Sequence, residues 1–407
     1  LEERLKNNMD SQVAYLLSPQ AVRERSRQIF DFTVSGEGCF SYHPEKWDEV
    51  TEFVHATILD KYPSLEIPFH SRLGHFRAGG VDRLLWNELN PMGESLTERA
   101  RMLIDLVVPS VLLDAGAGPQ WSFAELKTGQ RFTRSEGLGV ASLYLFLDKK
   151  MSSSGGLQTD ALALTKLQES DLLRYFQVTD KNPLVGVEGR LYLLRQLGVT
   201  MLQNPSHFPT GRPSDLLNRF IKNNKVDAAE VLNAVLLCCG SIWPSRLTWN
   251  GVPLGDTWSH PKLGTQGSFE SLVPFHKLSQ WLSYSLLDAC QLGGFELEGV
   301  ESLTGLPEYR NGGLFLDLGL IQLKDRGFES CGLTPEMPIT IEWRALTVTL
   351  LDGLAERIQN KLCLSPRELP LAKVLEGGSW WAGRKIASIK RADGGPPVKI
   401  ISDGTVF

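Results

Sequence analysis

A mainly α-helical protein with small β elements is the fold class that this sequence predicts, and three observations predict it. Apolar residues recur three and four apart over many stretches. Strand-like runs are short and scattered. No internal repeat with a period of roughly 20–50 residues is present, which counts against a helical solenoid.

The elements follow in order. Residues 11–30, SQVAYLLSPQAVRERSRQIF, are broken at Ser18-Pro19, where a serine cap and a proline open a helix running to about Phe30. Helical spacing returns at 45–61 and 94–113. A Gly/Pro-rich break, DAGAGPQW, precedes SEGLGVASLYLF, a helix whose small residues admit a close neighbour. After the polar connector KMSSSGGLQTDA, helices are expected at 160–174, 186–203, 213–222, 226–239 and 276–292. PITIEWRALTVTLLDGLAERIQNKL begins with β-branched residues and continues as a long helix into Leu362. Hairpin signals lie at Asn250-Gly251 and in the closing VKIISDGTVF. A single large helical body over 1–407 is expected, and two lobes, about 1–150 and 151–407 around a central cleft, are the division it admits. The Gly/Pro-rich pieces at 74–93, 115–119, 250–268 and 305–313 read as loops converging on a site.

Composition narrows the function classes. A net charge of -5 supplies no basic field for nucleic acid, so none is expected as a partner, although a local arginine pair can still hold one anion. Cys39, Cys238, Cys239, Cys290, Cys331 and Cys363 form neither a CxxC pair nor a Cys/His metal pattern, which suits a reduced, cytoplasmic protein. No apolar run approaches the ~18 residues of a membrane span, and LEERLKNNMD lacks the signal-peptide pattern, so no membrane partner is expected. Leu1 is an unusual first residue, and a few native residues are expected to precede it. The GxGxxG, P-loop, HExxH and GxSxG signatures are missing. His70 and His75 stand in a glycine-rich loop without a carboxylate in register, so neither a metal nor a cofactor is expected.

Four constellations carry polar chemistry. Arg134-Ser135-Glu136-Gly137 sits where a loop becomes a helix, an arrangement that suits an anion or, equally, a capping serine with a surface Arg/Glu pair. His276, Gln280 and Tyr284 fall at i, i+4 and i+8 on an otherwise apolar helix, either lining a pocket or forming a satisfied core histidine with polar rim residues. WPSRLTWNGVPLGDTWSH joins three tryptophans to Asp256 and His260, as a wall for a ligand or as core packing. In LTGLPEYRNGGLFLDLG, Glu308, Arg310 and Asn311 lie in a loop bounded by Pro307 and Gly312-Gly313, which points several polar groups one way beside an apolar segment.

Together LLDAGAGPQWSF, RSEGLGVASLYLF, NPLVGVEGR, VPFHKLSQWLSYSL, LTGLPEYRNGGLFLDLG and the terminal SDGTVF resemble the uracil catabolism protein 4 family over roughly residues 100–407. A second resemblance, to queuosine 5'-phosphate N-glycosidases, rests on Leu303-Thr304, Glu308-Tyr309-Arg310 and Glu342-Trp343-Arg344-Ala345. Here Glu308 stands where that pattern has aspartate, and Asn311-Gly312 replaces Val-Pro.

The resemblances imply an all-α helical bundle similar to helix-hairpin-helix DNA glycosylases. They also imply a place in uracil breakdown, where uracil becomes uridine monophosphate and the base is opened to leave a ribosylurea phosphate. The implied enzyme is an N-glycosidase releasing urea and ribose 5-phosphate from a small phosphorylated ribosyl substrate. An amidohydrolase acting on the opened base, or a non-catalytic partner of the ring-opening enzyme, are the alternatives. On the glycosidase reading Glu308 is the carboxylate at the anomeric carbon, with Asp317 in reserve. Arg310 and Arg344 hold phosphate or orient a carboxylate, and Asn311 and Asp256 line the same site. His276, Gln280 and Tyr284 meet urea or ribose hydroxyls, Trp121 or Trp258 forms a wall, and Arg134 with Ser135 makes a second anion contact. The oligomeric state is left open.

Overall fold

The computed structural model describes residues 11–90, 95–114, 116–242, 247–329 and 331–401. It is mainly helical, and its chain forms two compact units. Unit 1 comprises Leu1–His70, Ser245–Gln280 and Gly299–Phe407; unit 2 comprises Ser71–Pro244 and Trp281–Glu298. Neither is a contiguous half of the sequence.

In unit 1, α1 (Pro19–Val34) starts as its sequence demands: Ser18 is extended, its Oγ accepts from Ala21 N at 3.2 Å, and proline occupies the first turn. Helix α2 (Trp47–Lys61) follows. Unit 2 contributes α3 (Leu96–Leu112), capped by Ser95, α4 (Arg134–Leu147), α5 (Val187–Gln203) and α6 (Ala228–Cys239). Helix α7 (Lys277–Leu292) begins in unit 1 and continues in unit 2 from Trp281. The late part of unit 1 is built from α8 (Tyr309–Asp317), α9 (Pro338–Leu362) and α10 (Trp380–Lys390), the last preceded by a π-helical turn over Leu375–Ser379.

The core of unit 1 joins α1 to α9. Val22 and Ile29 meet Ile341, Ala345 and Val348, with Trp258, Val273 and Phe275 completing the cluster. Every aliphatic member is 1% exposed or less, so the helix pair rests on dry apolar contact. Two glycines let α8 press against its neighbours. A Cβ on Gly312 would stand 2.7 Å from Thr347 Oγ1 and 2.8 Å from Trp343 Nε1 of α9. One on Gly383 of α10 would stand 2.3 Å from the Arg310 carbonyl oxygen. Close approach, not turning, explains these glycines.

The β content is broader than hairpins. Thr248–Trp249 and Val252–Pro253 form the expected hairpin, with Asn250 and Gly251 both at positive φ, 52° and 78°. Phe40–Tyr42 instead pairs antiparallel with the distant Ile321–Leu323. In unit 2, Lys225–Asp227 pairs with Ile221–Lys222 on one side and runs parallel to Glu296–Glu298 on the other.

Several expected boundaries shift. The helix expected over 160–174 is two, Ala161–Lys166 and Glu169–Tyr175, and that over 213–222 opens as a 3-10 turn, Pro213–Leu216. The loop expected from Glu308 to Gly313 is the cap and first turn of α8. Of the closing segment, Ile400 bridges Leu333 in parallel, while SDGTVF and the first ten residues lie outside the described residues, as does Trp243. No helix among the described residues is long and apolar enough to cross a membrane.

Candidate active site

The stretch leading to Glu308 is held from below by Gln280. Its Oε1 accepts from Thr304 N at 2.8 Å, and its Nε2 donates to Thr304 Oγ1 and, at 3.3 Å, to the Phe275 carbonyl. Gln280 is fully buried and its amide is spent on the backbone frame, so it positions Leu303-Thr304 instead of facing a ligand.

Glu308 itself is extended, half-buried, and the N-cap of α8. Oε2 accepts from Arg310 N and Oε1 from Asn311 N, each at 2.8 Å. A carboxylate here satisfies two of the helix's orphan amides and meets the positive end of its dipole. The second half of the expected cluster is anchored too. Arg310 Nη1 donates to the Gly394 carbonyl at 2.8 Å, and its guanidinium lies 4.9 Å from the Tyr309 ring centroid. Asn311 Nδ2 donates to Leu306 O at 3.0 Å while its Oδ1 accepts from Ser379 Oγ at 2.8 Å.

Asp317 closes the same helix at its far end. Arg391 grips it with two hydrogen bonds of 2.7 and 2.6 Å, and the pair raises the Arg391 pKa. Glu308 and Asp317 are nine residues apart on α8, about 13 Å along the axis at the α-helical rise. Their backbone positions are thus farther apart than the roughly 5–9.5 Å at which paired carboxyl groups flank one glycosidic bond.

Behind the Glu308 stretch stands an ion pair of α9. Arg344 donates to Asp256 from Nη1 at 2.8 Å and from Nη2 at 2.6 Å, stacks 4.2 Å from the Phe275 ring centroid, and directs Nε toward the Pro307 carbonyl at 3.5 Å. Asp256 also accepts from Trp258 Nε1 at 2.7 Å and from Lys277 N at 3.0 Å. Burial alone would raise the Asp256 pKa, but the Arg344 guanidinium and these donors hold it down at about 2. Of the two roles open to Arg344, orienting a carboxylate is the one observed. Trp258 belongs to the core cluster and serves Asp256. Glu342, two residues earlier, accepts from Thr33 Oγ1 and Cys39 N at 2.8 Å each and so ties the 38–40 segment to α9.

His276 is the strained member. Its φ is +51°, it is 1% exposed, and Nε2 donates to Leu16 O at 2.7 Å while Nδ1 has no hydrogen-bond partner. Burial pulls its pKa down, so the ring is neutral near pH 7.

The remaining expected residues lie in unit 2. Trp121 is 1% exposed and donates to Phe176 O at 2.8 Å, so it is core, and Tyr284 is fully buried. The anion pocket expected at Arg134-Ser135 is taken by the chain itself: Ser135 Oγ donates to Asp114 Oδ2 at 3.2 Å, and Asp114 Oδ1 stands 3.1 Å from Arg72 Nη1. Arg134 is exposed, with φ at +56°.

One pair went unread in the sequence. His70 Nδ1 lies 2.8 Å from Glu376 Oε2, and Tyr62 OH donates to Glu376 Oε1 at 3.1 Å. The carboxylate partner that His70 lacks locally comes from 306 positions away, on the π-helical turn that also carries Ser379. The local signal was the sequence EGGSW itself, since adjacent glycines before a helix admit an irregular turn. His75 is engaged separately, by Arg72 at 2.9 Å.

Fold and site together define a mainly helical protein with a helix-capping carboxylate beside a buried carboxylate–arginine pair. The family model described as "Protein of unknown function (DUF1688)" matches residues 15–407, and the chain belongs to this family. It is 40% identical to uracil catabolism protein 4 of Lachancea kluyveri, over 98% of this chain and all of that protein. It is also 38% identical to protein urg3 of Schizosaccharomyces pombe (strain 972 / ATCC 24843), over 97% of this chain and 99% of that one.

Proposed function

We propose that this protein acts in uracil catabolism as an N-glycosidase, hydrolysing a ribosylurea 5'-phosphate to urea and ribose 5-phosphate. The pathway follows from the name of the Lachancea kluyveri relative, which matches along its whole length. The reaction rests on one observation: the half-buried Glu308 carboxylate is presented at the N-terminus of α8, where Arg344 of α9 reaches the carbonyl of the preceding Pro307. The two strings that resemble a glycosidase, one around Glu308 and one around Arg344, are thus neighbours in space.

Breaking C1'–N of a ribosylurea leaves positive charge on the sugar and an electron pair on a poor leaving group. A carboxylate that cannot swing away stabilises an oxocarbenium-like state electrostatically and needs no reorganisation to do so. Two backbone amides hold Glu308 in that manner. Arg310, 8% exposed and one residue beyond Tyr309, is the nearest cation on the same turn and supplies a contact for the substrate's phosphate.

The test is direct. The purified chain is incubated with synthetic ribosylurea 5'-phosphate and urea is followed by a coupled assay. Urea released in step with ribose 5-phosphate is expected, and no urea above background from folded protein overturns the reading.

A further inference from the structure

Glu308 spends each carboxylate oxygen on a backbone amide, and the Asp256–Arg344 pair is closed on itself. His276 is buried and neutral. Charge stabilisation is therefore provided for, whereas moving a proton at neutral pH needs another group.

We propose that His70 is the catalytic proton-transfer residue of this site and that Glu376 is its positioning residue, an inference that rests on the glycosidase reading. The ring is 11% exposed, and Glu376, 16% exposed, accepts from Nδ1 at 2.8 Å. Because a carboxylate only accepts, the Nδ1 proton is fixed toward it and Nε2 is left with its lone pair. Nε2 has no hydrogen bond among the described residues, yet it is not walled off from solvent. Tyr62 OH donates to the other Glu376 oxygen at 3.1 Å and keeps the carboxylate from rotating, while Trp380 lies 5.8 Å from the imidazole centroid. A carboxylate that orients an imidazole and stabilises its cation is the logic of acid–base triads.

The backbone connects this dyad to Glu308. Glu376 and Ser379 share the π-helical turn, three residues apart. Ser379 donates to Asn311 Oδ1, and Asn311 N is one of the two amides on the Glu308 carboxylate. Gly383, one turn farther, lets α10 touch the Arg310 carbonyl. Short π-helical insertions recur at functional sites, where they re-aim side chains; here one aims Glu376 at His70.

In the step assigned, His70 Nε2 takes a proton from water as the water oxygen bonds to C1'. The C1'–N bond breaks with its electron pair going to the urea nitrogen. His70 Nε2 then gives up the proton it took from water to that urea nitrogen, directly or through solvent, so water and ribosylurea phosphate become ribose 5-phosphate and urea and His70 is left as it began.

The experiment has a kinetic arm and a labelling arm. For His70→Ala, with His70→Gln as a second variant, kcat falls at least about a hundredfold while KM stays within about threefold, and added imidazole restores His70→Ala by about tenfold or more. Glu376→Gln, which leaves the ring in place but weakens its hold, loses about tenfold in kcat. Turnover of His70→Ala within about threefold of the original overturns the proposal, and so does a loss that imidazole leaves untouched. The labelling arm uses the unaltered chain: diethyl pyrocarbonate modifies His70, read by peptide mass spectrometry, and ribose 5-phosphate blocks the modification. If the unaltered chain releases no urea, the glycosidase reading alone fails. Blocked labelling then keeps His70 at a sugar-phosphate site, and labelling indifferent to ribose 5-phosphate overturns the dyad.

Discussion

Asp256 and Arg344 face each other through two hydrogen bonds of 2.8 and 2.6 Å, with the carboxylate 9% and the guanidinium 1% exposed. The pair fixes where Arg344 can reach, and its Nε ends at the carbonyl before Glu308. Removing one partner from so dry a pair leaves an uncompensated charge. Asp256→Asn should therefore destabilise the protein by roughly 3–5 kcal/mol, read as a lower urea midpoint with unchanged slope. The same pair gives an acid-side signature. The folded Asp256 pKa of about 2 lies below the ordinary 3.8. The stabilisation is thus complete above pH 4 and is lost as pH falls toward 2, by roughly 2 kcal/mol at 1.36 kcal/mol per unit. Arg344→Met, whose longer pH profile lacks that acid-side step, is the check; a step of the same size in the variant would assign it to other carboxylates.

Asp105 in unit 2 carries the opposite sign. Its side chain is fully buried, and burial pushes its pKa up to about 6 although Arg212, 2.7 Å away, and Ser214 N, 2.9 Å away, oppose the shift. A raised carboxyl pKa means that the folded state holds the proton more tightly, so stability falls as pH rises from about 4 to 6, by roughly 3 kcal/mol. The difference in unfolding free energy between Asp105→Asn and the original chain should drift in favour of the variant over that window. A flat difference from pH 4 to 6 would contradict it.

Gly383 sets helix propensity against packing. In an exposed helix, glycine to alanine gains about 1 kcal/mol. At this position the new Cβ would meet the Arg310 carbonyl oxygen at 2.3 Å, and a backbone atom in the first turn of α8 cannot rotate away. Overpacking of this kind typically costs about 1–3 kcal/mol, so Gly383→Ala should lower the melting temperature despite its better propensity. A raised melting temperature would mean that α8 and α10 are less tightly seated than the distance implies.

What was legible in the sequence was local. Ser18-Pro19 marks the start of α1 because both residues act within one turn, and α9 runs from Pro338 to Leu362 as its periodicity indicates. Glu308 to Gly313 reads as a loop in the sequence because Gly312-Gly313 resembles a turn, whereas the fold makes Glu308 the N-cap of α8. In the fold those glycines admit Trp343 and Thr347, a demand visible only once α9 is in place. Long-range pairs leave no periodic trace: Asp317 finds Arg391, 74 positions on, and His70 finds Glu376, 306 positions on. Ser135 shows the same effect, since the carboxylate it meets is Asp114, 21 positions earlier.

The separation of Glu308 from Asp317 yields the sharpest test of the site. Both residues are helix-end carboxylates of α8 and both are hydrogen-bonded, so losing either costs stability. Glu308→Gln removes one amide acceptor and the charge at the dipole's positive end, for about 0.5–2 kcal/mol. Asp317→Asn breaks a two-point grip by Arg391, whose side chain is 26% exposed, and that solvent access keeps the loss modest. Turnover separates them. If the carboxylate at α8's N-terminus stabilises the oxocarbenium-like state, Glu308→Gln loses at least about a hundredfold in kcat and Asp317→Asn stays within about threefold. Glu308→Asp, one methylene shorter, keeps the cap and the charge but withdraws the carboxylate from C1', so it should retain stability and lose turnover. Equal losses in Glu308→Gln and Asp317→Asn would mean that α8 matters to catalysis only as a folded element, and the proposed role of Glu308 would fall.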